Sequence, residues 1–181
     1  MKFYAIILLF SVAFSAPVYA ENLATTLYLS PRVYQLQGHL NSPYREYWFN
    51  QGALFVPIAL KTLQEKYADL TLCKSGNTVD RVIKLTPDVF YNPQMRVYHG
   101  QVVANVYSGG GTLLGAYVGK AQQVGSMDVA VQDNLEKVYA AAMQNLAEKL
   151  SLSEQAYTVN SEIKLPCNVV GLQAEPQNGF Y

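Results

Sequence analysis

The sequence predicts an α+β fold: a small mixed or antiparallel sheet that contains a long β-hairpin, with two main helices packed on one face. Residues 96–120 alternate apolar and polar side chains on both sides of a glycine run, as paired strands do. Residues 128–150 repeat apolar side chains at three- and four-residue steps, as an amphipathic helix does. The helix would be about 35 Å long and each strand about 40 Å, so the helix can cover the hairpin.

The turn of this hairpin is Ser108-Gly109-Gly110-Gly111, and its glycines supply the positive φ angles that tight turns need. A turn there pairs Tyr107 with Thr112 and fixes the two faces of the hairpin. The face that we expect beneath the helix carries Tyr98, Gly100, Val102, Val106, Leu113, Gly115, Tyr117 and Gly119. The opposite face is half apolar, which indicates either a partner-binding surface or cover by another part of the chain. Its apolar residues are Val103, Leu114, Ala116 and Val118.

The long helix is expected to begin near Asp128, with Ser126 or Asp128 as its N-cap. Its predicted buried stripe is Val131, Leu135, Val138, Ala142, Leu146 and Leu150.

The first twenty residues have the parts of a signal peptide: Lys2, an apolar run at 3–14, and small residues before a cleavage point at Ala20. The alternative is an uncleaved membrane anchor, for which the apolar run is short. We therefore expect residues 1–20 to be removed, residues 21–167 to form a single domain, and residues 168–181 to be a loop or a disordered tail. The expected location is the periplasm or the exterior, without stable membrane insertion.

The first half of the chain carries weaker patterns. A first strand is expected within 23–36, with Pro31 at an edge, a bulge or a strand end. Residues 38–43 are expected to be a loop, and Asn50 to lead into a second helix over 53–67. Two further strands are expected at 70–73 and 79–85, the second ended by Pro87.

The sequence lacks the usual patterns of catalytic and cofactor sites. Its two histidines, His39 and His99, have no companions at metal-ligand spacing, and the glycine run lacks the Lys-Ser/Thr of a phosphate loop. The formal net charge is zero, so no basic surface for nucleic acid is expected. We expect no cofactor, no metal and no enzymatic activity. The alternative is a secreted hydrolase or small-ligand enzyme built from dispersed residues such as His99, Asp80 and Asp88.

Two surfaces are candidates for binding a partner. The first is the aromatic run before the second helix, because Trp and Tyr near Arg are enriched at interfaces. Its residues are Tyr44, Arg45, Tyr47, Trp48 and Phe49. The alternative is that this run packs the helix onto the sheet. The second candidate is the half-apolar hairpin face, represented by Val103, Leu114 and Val118.

Cys73 and Cys167 are predicted to form a disulfide. A signal peptide directs the chain to an oxidising compartment, where two unpaired thiols are unusual, and two cysteines allow one intramolecular pairing. Such a bond would hold the C-terminal segment against the sheet.

The order strand, helix, short strand, long hairpin, long helix resembles the YajG-type and ABC-transport auxiliary envelope lipoproteins. The resemblance is carried by the hairpin from Tyr98 to Val118 and by the helix entry from Val129 to Leu135. These proteins are lipid-anchored, whereas no Cys follows the apolar run of this chain. The resemblance implies a non-catalytic periplasmic accessory protein. From the two candidate surfaces we expect it to bind an envelope protein or component, and the sequence leaves a homo-oligomer open.

Overall fold

The computed structural model describes residues 24–35, 37–153 and 164–173, and it confirms the α+β fold. The elements follow one another as β1 (Thr25–Leu29), α1 (Pro31–Gln35), β2 (Gln37–Ser42), β3 (Arg45–Asn50), α2 (Gln51–Gln64), β4 (Thr71–Leu72), β5 (Arg81–Asn92), β6 (Val97–Ser108), β7 (Leu113–Val124), α3 (Val131–Ser153) and α4 (Cys167–Gln173).

The main sheet has five strands in the order β4-β1-β5-β6-β7. Strand β1 runs parallel to β4 and β5, and β5, β6 and β7 are antiparallel. Helices α2 and α3 share the apolar core on one face of this sheet. Its largest fully buried side chains include Tyr139, Phe55, Leu27, Leu63, Ile83, Leu85 and Leu146. Strands β2 and β3 form a separate two-stranded sheet, called here the short hairpin. The long hairpin is β6–β7.

Helix α3 lies on the predicted face of the long hairpin. A Cβ atom on Gly100 would stand 3.0 Å from a Val138 methyl, and a Cβ on Gly119 would stand 2.2 Å from the Ala142 carbonyl oxygen. These glycines let the helix approach the strands closely, as their positions predict. All six residues of the predicted helix stripe are buried.

Helix α3 also engages the outer edge of β7. The Lys120 N–H donates to Asn145 Oδ1 at 3.2 Å, and Lys149 Nζ donates to the Val118 carbonyl oxygen at 2.6 Å. Unpaired edge groups attract other strands, and here side chains from the helix occupy two of them.

The predicted register near the turn is wrong because β7 contains a bulge. Tyr107 pairs with Leu113 rather than with Thr112, and Val106 pairs with Gly115. Leu114 is therefore the extra residue, and Leu113 and Leu114 exchange their predicted faces. Leu113 is exposed instead of lying beneath the helix, and Leu114 packs against the main core. Beyond the bulge the observed pairing differs from the predicted pairing by two residues, so the remaining side chains keep their predicted faces.

The predicted start of the long helix is also wrong. Ser126 and Asp128 bond to each other in a turn, with Ser126 Oγ 3.0 Å from Asp128 Oδ2, and α3 begins three residues later, at Val131. Ala130 just before it adopts φ 51°, which interrupts the helical backbone between the turn and the helix.

Three expectations in the first half need correction. Residues 38–43 fall largely in β2 rather than in a loop. The first strand ends at Leu29 and residues 31–35 form α1, so Pro31 lies at a strand end, one of its three expected places, and the strand does not extend to 36. Pro87 does not end β5, which continues to Asn92. Pairing with β1 stops at Leu85, and Gln51 Nε2 donates to the Pro87 carbonyl oxygen at 2.9 Å. The backbone groups of Pro87 thus point away from β6, where a missing N–H costs no strand bond.

The C-terminal described segment crosses the other face of the sheet, called here the open face. Cys73 and Cys167 form the predicted disulfide, with Cα atoms 5.9 Å apart. The expectation of a loop from residue 168 is wrong as far as 173, because Cys167–Gln173 form α4. Helix α4 buries Cys167 and Val170 against Tyr28, Val82 and Tyr107, so these contacts order it. The predicted signal peptide and residues 174–181 lie outside the described residues. Among the described helices, none is long and apolar enough to cross a membrane.

Candidate binding surface

The aromatic run 44–49 forms one strand of the short hairpin. Ser42 and Arg45 are paired across a turn that contains Pro43, a residue favoured at this turn position. Side chains alternate along β3, so the run is divided between two faces. The packing interpretation therefore applies to the inward part of the run, and binding by the outward part stays a prediction.

The inward face holds the short hairpin on the core. Leu40, Tyr47 and Phe49 contact the cluster around Tyr98 and Leu135.

Gly38 makes the position of Phe49 possible. The two residues are cross-strand partners, and a Cβ on Gly38 would lie 2.2 Å from the Phe49 ring. The ring can therefore lie across the strand, which a larger residue at position 38 would prevent.

The turn of the short hairpin is tied to the loop before α3. Arg45 Nη1 donates to the Met127 carbonyl oxygen at 3.3 Å and lies 3.5 Å from Asp128 Oδ1. Tyr44, at the tip of the turn, is 99% exposed. Arg45 thus already has intramolecular partners, whereas Tyr44 protrudes.

The outward face of the short hairpin carries Trp48. This side chain is 56% exposed, and its ring stacks on that of His39, its cross-strand partner, with centroids 4.1 Å apart. His39 Nε2 lies 3.7 Å from Glu46 Oε2. All six residues of this outer face are exposed: Gln37, His39, Asn41, Glu46, Trp48 and Asn50.

Behind the short hairpin lies a groove between α2 and α3, with a volume of about 570 Å³. Its walls include Phe49, Leu54, Ile58 and Leu135. Pro57 also lines it and has no N–H to give to the carbonyl group one turn earlier, at Ala53. The groove is therefore mainly apolar.

The open face of the main sheet holds the second group of candidates. Val103 and Val118 are cross-strand partners there, and both are partly buried. Leu114, the third predicted member, lies on the other side of the sheet because of the bulge. Phe90 is 57% exposed and stacks on His99 at 4.5 Å. Helix α4 covers the part of this face near Val82.

The residues of the enzymatic alternative come together only in part. His99 and Asp88 line one hollow of about 510 Å³ together with Lys120, and none of its lining residues bears a hydroxyl group. His99 Nε2 is buried without a hydrogen-bond partner.

Asp80 is engaged elsewhere. A hydrogen bond from Lys164 lowers the pKa of its carboxyl group, and the Ala24 N–H donates to it at 3.0 Å. Within the described part of the chain, no group of three or more His, Cys, Asp or Glu side chains could hold a metal ion.

Sequence reasoning missed the β2 half of the outer face, namely Gln37, His39 and Asn41. The signal for it was present: polar residues alternate with Gly38 and Leu40, and Pro43 follows at a turn position. The short length of this strand and its single large apolar residue made the alternation easy to overlook.

Comparison with known proteins shows the fold alone. No family model matches the chain, and no curated protein matches it. A solved structure from Xanthomonas campestris, of the DUF330 family, is similar with a TM-score of 0.52 and 8% identity. The match covers 74% of this chain and 86% of that one. A second solved structure, described as a "putative lipoprotein" from Caulobacter crescentus CB15, has a TM-score of 0.36 and 14% identity. It covers 56% of this chain and 83% of that one.

Proposed function

We propose that this protein is a non-catalytic accessory protein of the cell envelope, which binds an envelope protein or another envelope component through the short hairpin. The single observation that carries the proposal is Trp48. A large aromatic side chain costs free energy when it stays in water, and this one is held in place by its strand and by His39. Exposed, rigid aromatic residues are typical of binding surfaces.

The location in the proposal is supported by two features. The sequence has the parts of a signal peptide, and the Cys73–Cys167 disulfide fits an oxidising compartment such as the periplasm. The finer relationship, to the transport auxiliary lipoproteins, is part of the same proposal. It is supported by the order of the elements and by the fold shared with the Xanthomonas protein.

Affinity capture from envelope extract tests the proposal. Wild-type protein should recover a component that Trp48→Ala does not recover. Val103→Asp, on the open face, serves as the comparison variant and should recover the component as wild type does. Loss in Val103→Asp alone would transfer the site to the open face. Equal recovery by all three proteins would refute both surfaces.

A further inference from the structure

The outer face of the short hairpin has an unusual composition for a protein-binding surface. The centres of protein interfaces combine several apolar side chains and are depleted of charged residues. Of the six outer-face residues, Trp48 alone is large and apolar, and the others are His39, Glu46 and the three amides Gln37, Asn41 and Asn50. This face offers one flat platform surrounded by hydrogen-bonding groups.

The pairing register arranges these groups in three rows. Trp48 and His39 form the central row, Asn41 and Glu46 the row towards the turn, and Gln37 and Asn50 the row towards α2. Rows on one face of a strand are about 6.6 Å apart, so the face is about 13 Å long. Asn50 Oδ1 accepts a bond from the Ala53 N–H, which fixes this side chain as the cap of α2.

These features match the chemistry of a neutral sugar chain. A pyranose ring has an apolar face of C–H groups, which can lie on an indole ring, and a rim of hydroxyl groups that both donate and accept hydrogen bonds. Amides provide donors and acceptors in the same side chain, and a carboxylate accepts from hydroxyl groups. The face is long enough for more than one pyranose ring.

Other ligand classes fit less well. Nucleic acid requires basic residues near the aromatic platform, and the outer face contains no Lys or Arg and one Glu. The same Glu46 opposes an anionic ligand at this face. We propose that the outer face of the short hairpin binds a neutral oligosaccharide, with the Trp48 ring as the stacking platform and His39 holding that ring by stacking on its other face. This inference rests on the proposed function and names the class of the envelope component.

Trp48 is also the probe for the test, because it is the only tryptophan of the chain. The protein is titrated separately with chitohexaose, cellohexaose and maltohexaose while its tryptophan emission is recorded. At least one of these sugars should change the emission saturably, because stacking removes water from the indole ring. His39→Ala should weaken that binding at least tenfold. Leu113→Ala, which changes an exposed side chain of the long hairpin, should bind as wild type does.

Sedimentation with purified peptidoglycan sacculi provides a second readout, in which Trp48→Ala can be measured. Wild-type protein and Leu113→Ala should sediment with the sacculi or with the matching insoluble polysaccharide, and Trp48→Ala should remain in solution. No saturable emission change with any of the three sugars, together with no sedimentation of wild-type protein, would overturn the inference. If both sugar experiments are negative but the protein still recovers an envelope protein whose capture is lost in Trp48→Ala, the inference is wrong while the proposed function stands.

Discussion

The two hairpins of this protein use glycine and aromatic residues in opposite ways. In the long hairpin, Gly100 and Gly119 admit the backbone of α3, and the outer edge is held by Asn145 and Lys149. The long hairpin is thereby part of a framework, which we define as the main sheet with α2 and α3 on one face. In the short hairpin, Gly38 makes room for the ring of Phe49, and every second side chain is exposed to solvent. The framework and the proposed binding surface therefore lie on separate elements of this fold, so we expect changes in one to leave the other intact.

The largest expected effect concerns the disulfide, which holds α4 on the framework. The double change Cys73→Ala and Cys167→Ala should lower the free energy of unfolding by about 4 kcal/mol, because the bond closes a long loop in the unfolded chain. Denaturant unfolding of the variant, beside wild type with and without a reductant, measures this. Binding of the envelope component below the unfolding transition should be unchanged. A loss of binding by the folded variant would break the separation of framework and surface.

The next largest effect concerns the close approach of α3. Gly119→Ala should cost about 3 kcal/mol of stability, because the added Cβ meets the Ala142 carbonyl oxygen at 2.2 Å and backbone must move. Gly100→Ala should cost about 1 kcal/mol, because its nearest neighbour is a methyl group of Val138 at 3.0 Å. Thermal or denaturant unfolding ranks the two variants. Equal costs would show that α3 is free to move away from β7.

The free energy of unfolding should depend on pH through Tyr98, which lies where the two hairpins meet. Tyr98 of the framework packs with Leu40 of the short hairpin, and its hydroxyl donates to the Ser126 carbonyl oxygen at 3.0 Å. Burial raises the pKa of Tyr98 to about 12, from 10.0. The unfolded chain therefore loses this proton first as the pH rises. Stability from this group is complete below pH 10 and is lost between about pH 10 and 12.

Tyr98→Phe tests this titration. The variant should be about 1 kcal/mol less stable at pH 8, because the hydrogen bond to Ser126 is lost. Between pH 10 and 12 its stability should fall less steeply than that of wild type, by at most about 1.4 kcal/mol per pH unit. Parallel slopes for the two proteins in this range would show that the Tyr98 hydroxyl titrates normally.

The smallest effect on stability should come from Trp48→Ala. This side chain is exposed, so its removal should change the free energy of unfolding by no more than about 0.5 kcal/mol. Unfolding followed by circular dichroism measures it, since the variant lacks tryptophan. A cost of 2 kcal/mol or more would instead assign Trp48 to the framework.

The framework was largely predictable from the sequence, and the composition of the proposed binding surface was not. Periodicity over many residues predicted the long hairpin, the helix stripe and the glycines beneath it. The oxidising compartment expected from the signal-peptide pattern predicted the disulfide. The bulge at Leu114 was not predicted, because a one-residue insertion leaves the alternation of apolar and polar residues on each side unchanged. The positive φ of Ala130 was likewise not predictable, because alanine rarely adopts positive φ and nothing in the sequence marks this position. The outer face depends on cross-strand pairing between two six-residue strands, and such pairing becomes visible only in three dimensions.

Site-specific photo-crosslinking in cells that express the protein tests whether the short hairpin, and not the long hairpin, binds the envelope component. A photoreactive phenylalanine analogue is placed at Asn41, on the outer face of the short hairpin, or at Leu113, which is exposed on the long hairpin. We expect an envelope adduct from position 41 that disappears when Trp48→Ala is added, and no adduct from position 113. An adduct from position 113 with none from position 41 would contradict it, because the framework would then be the binding surface.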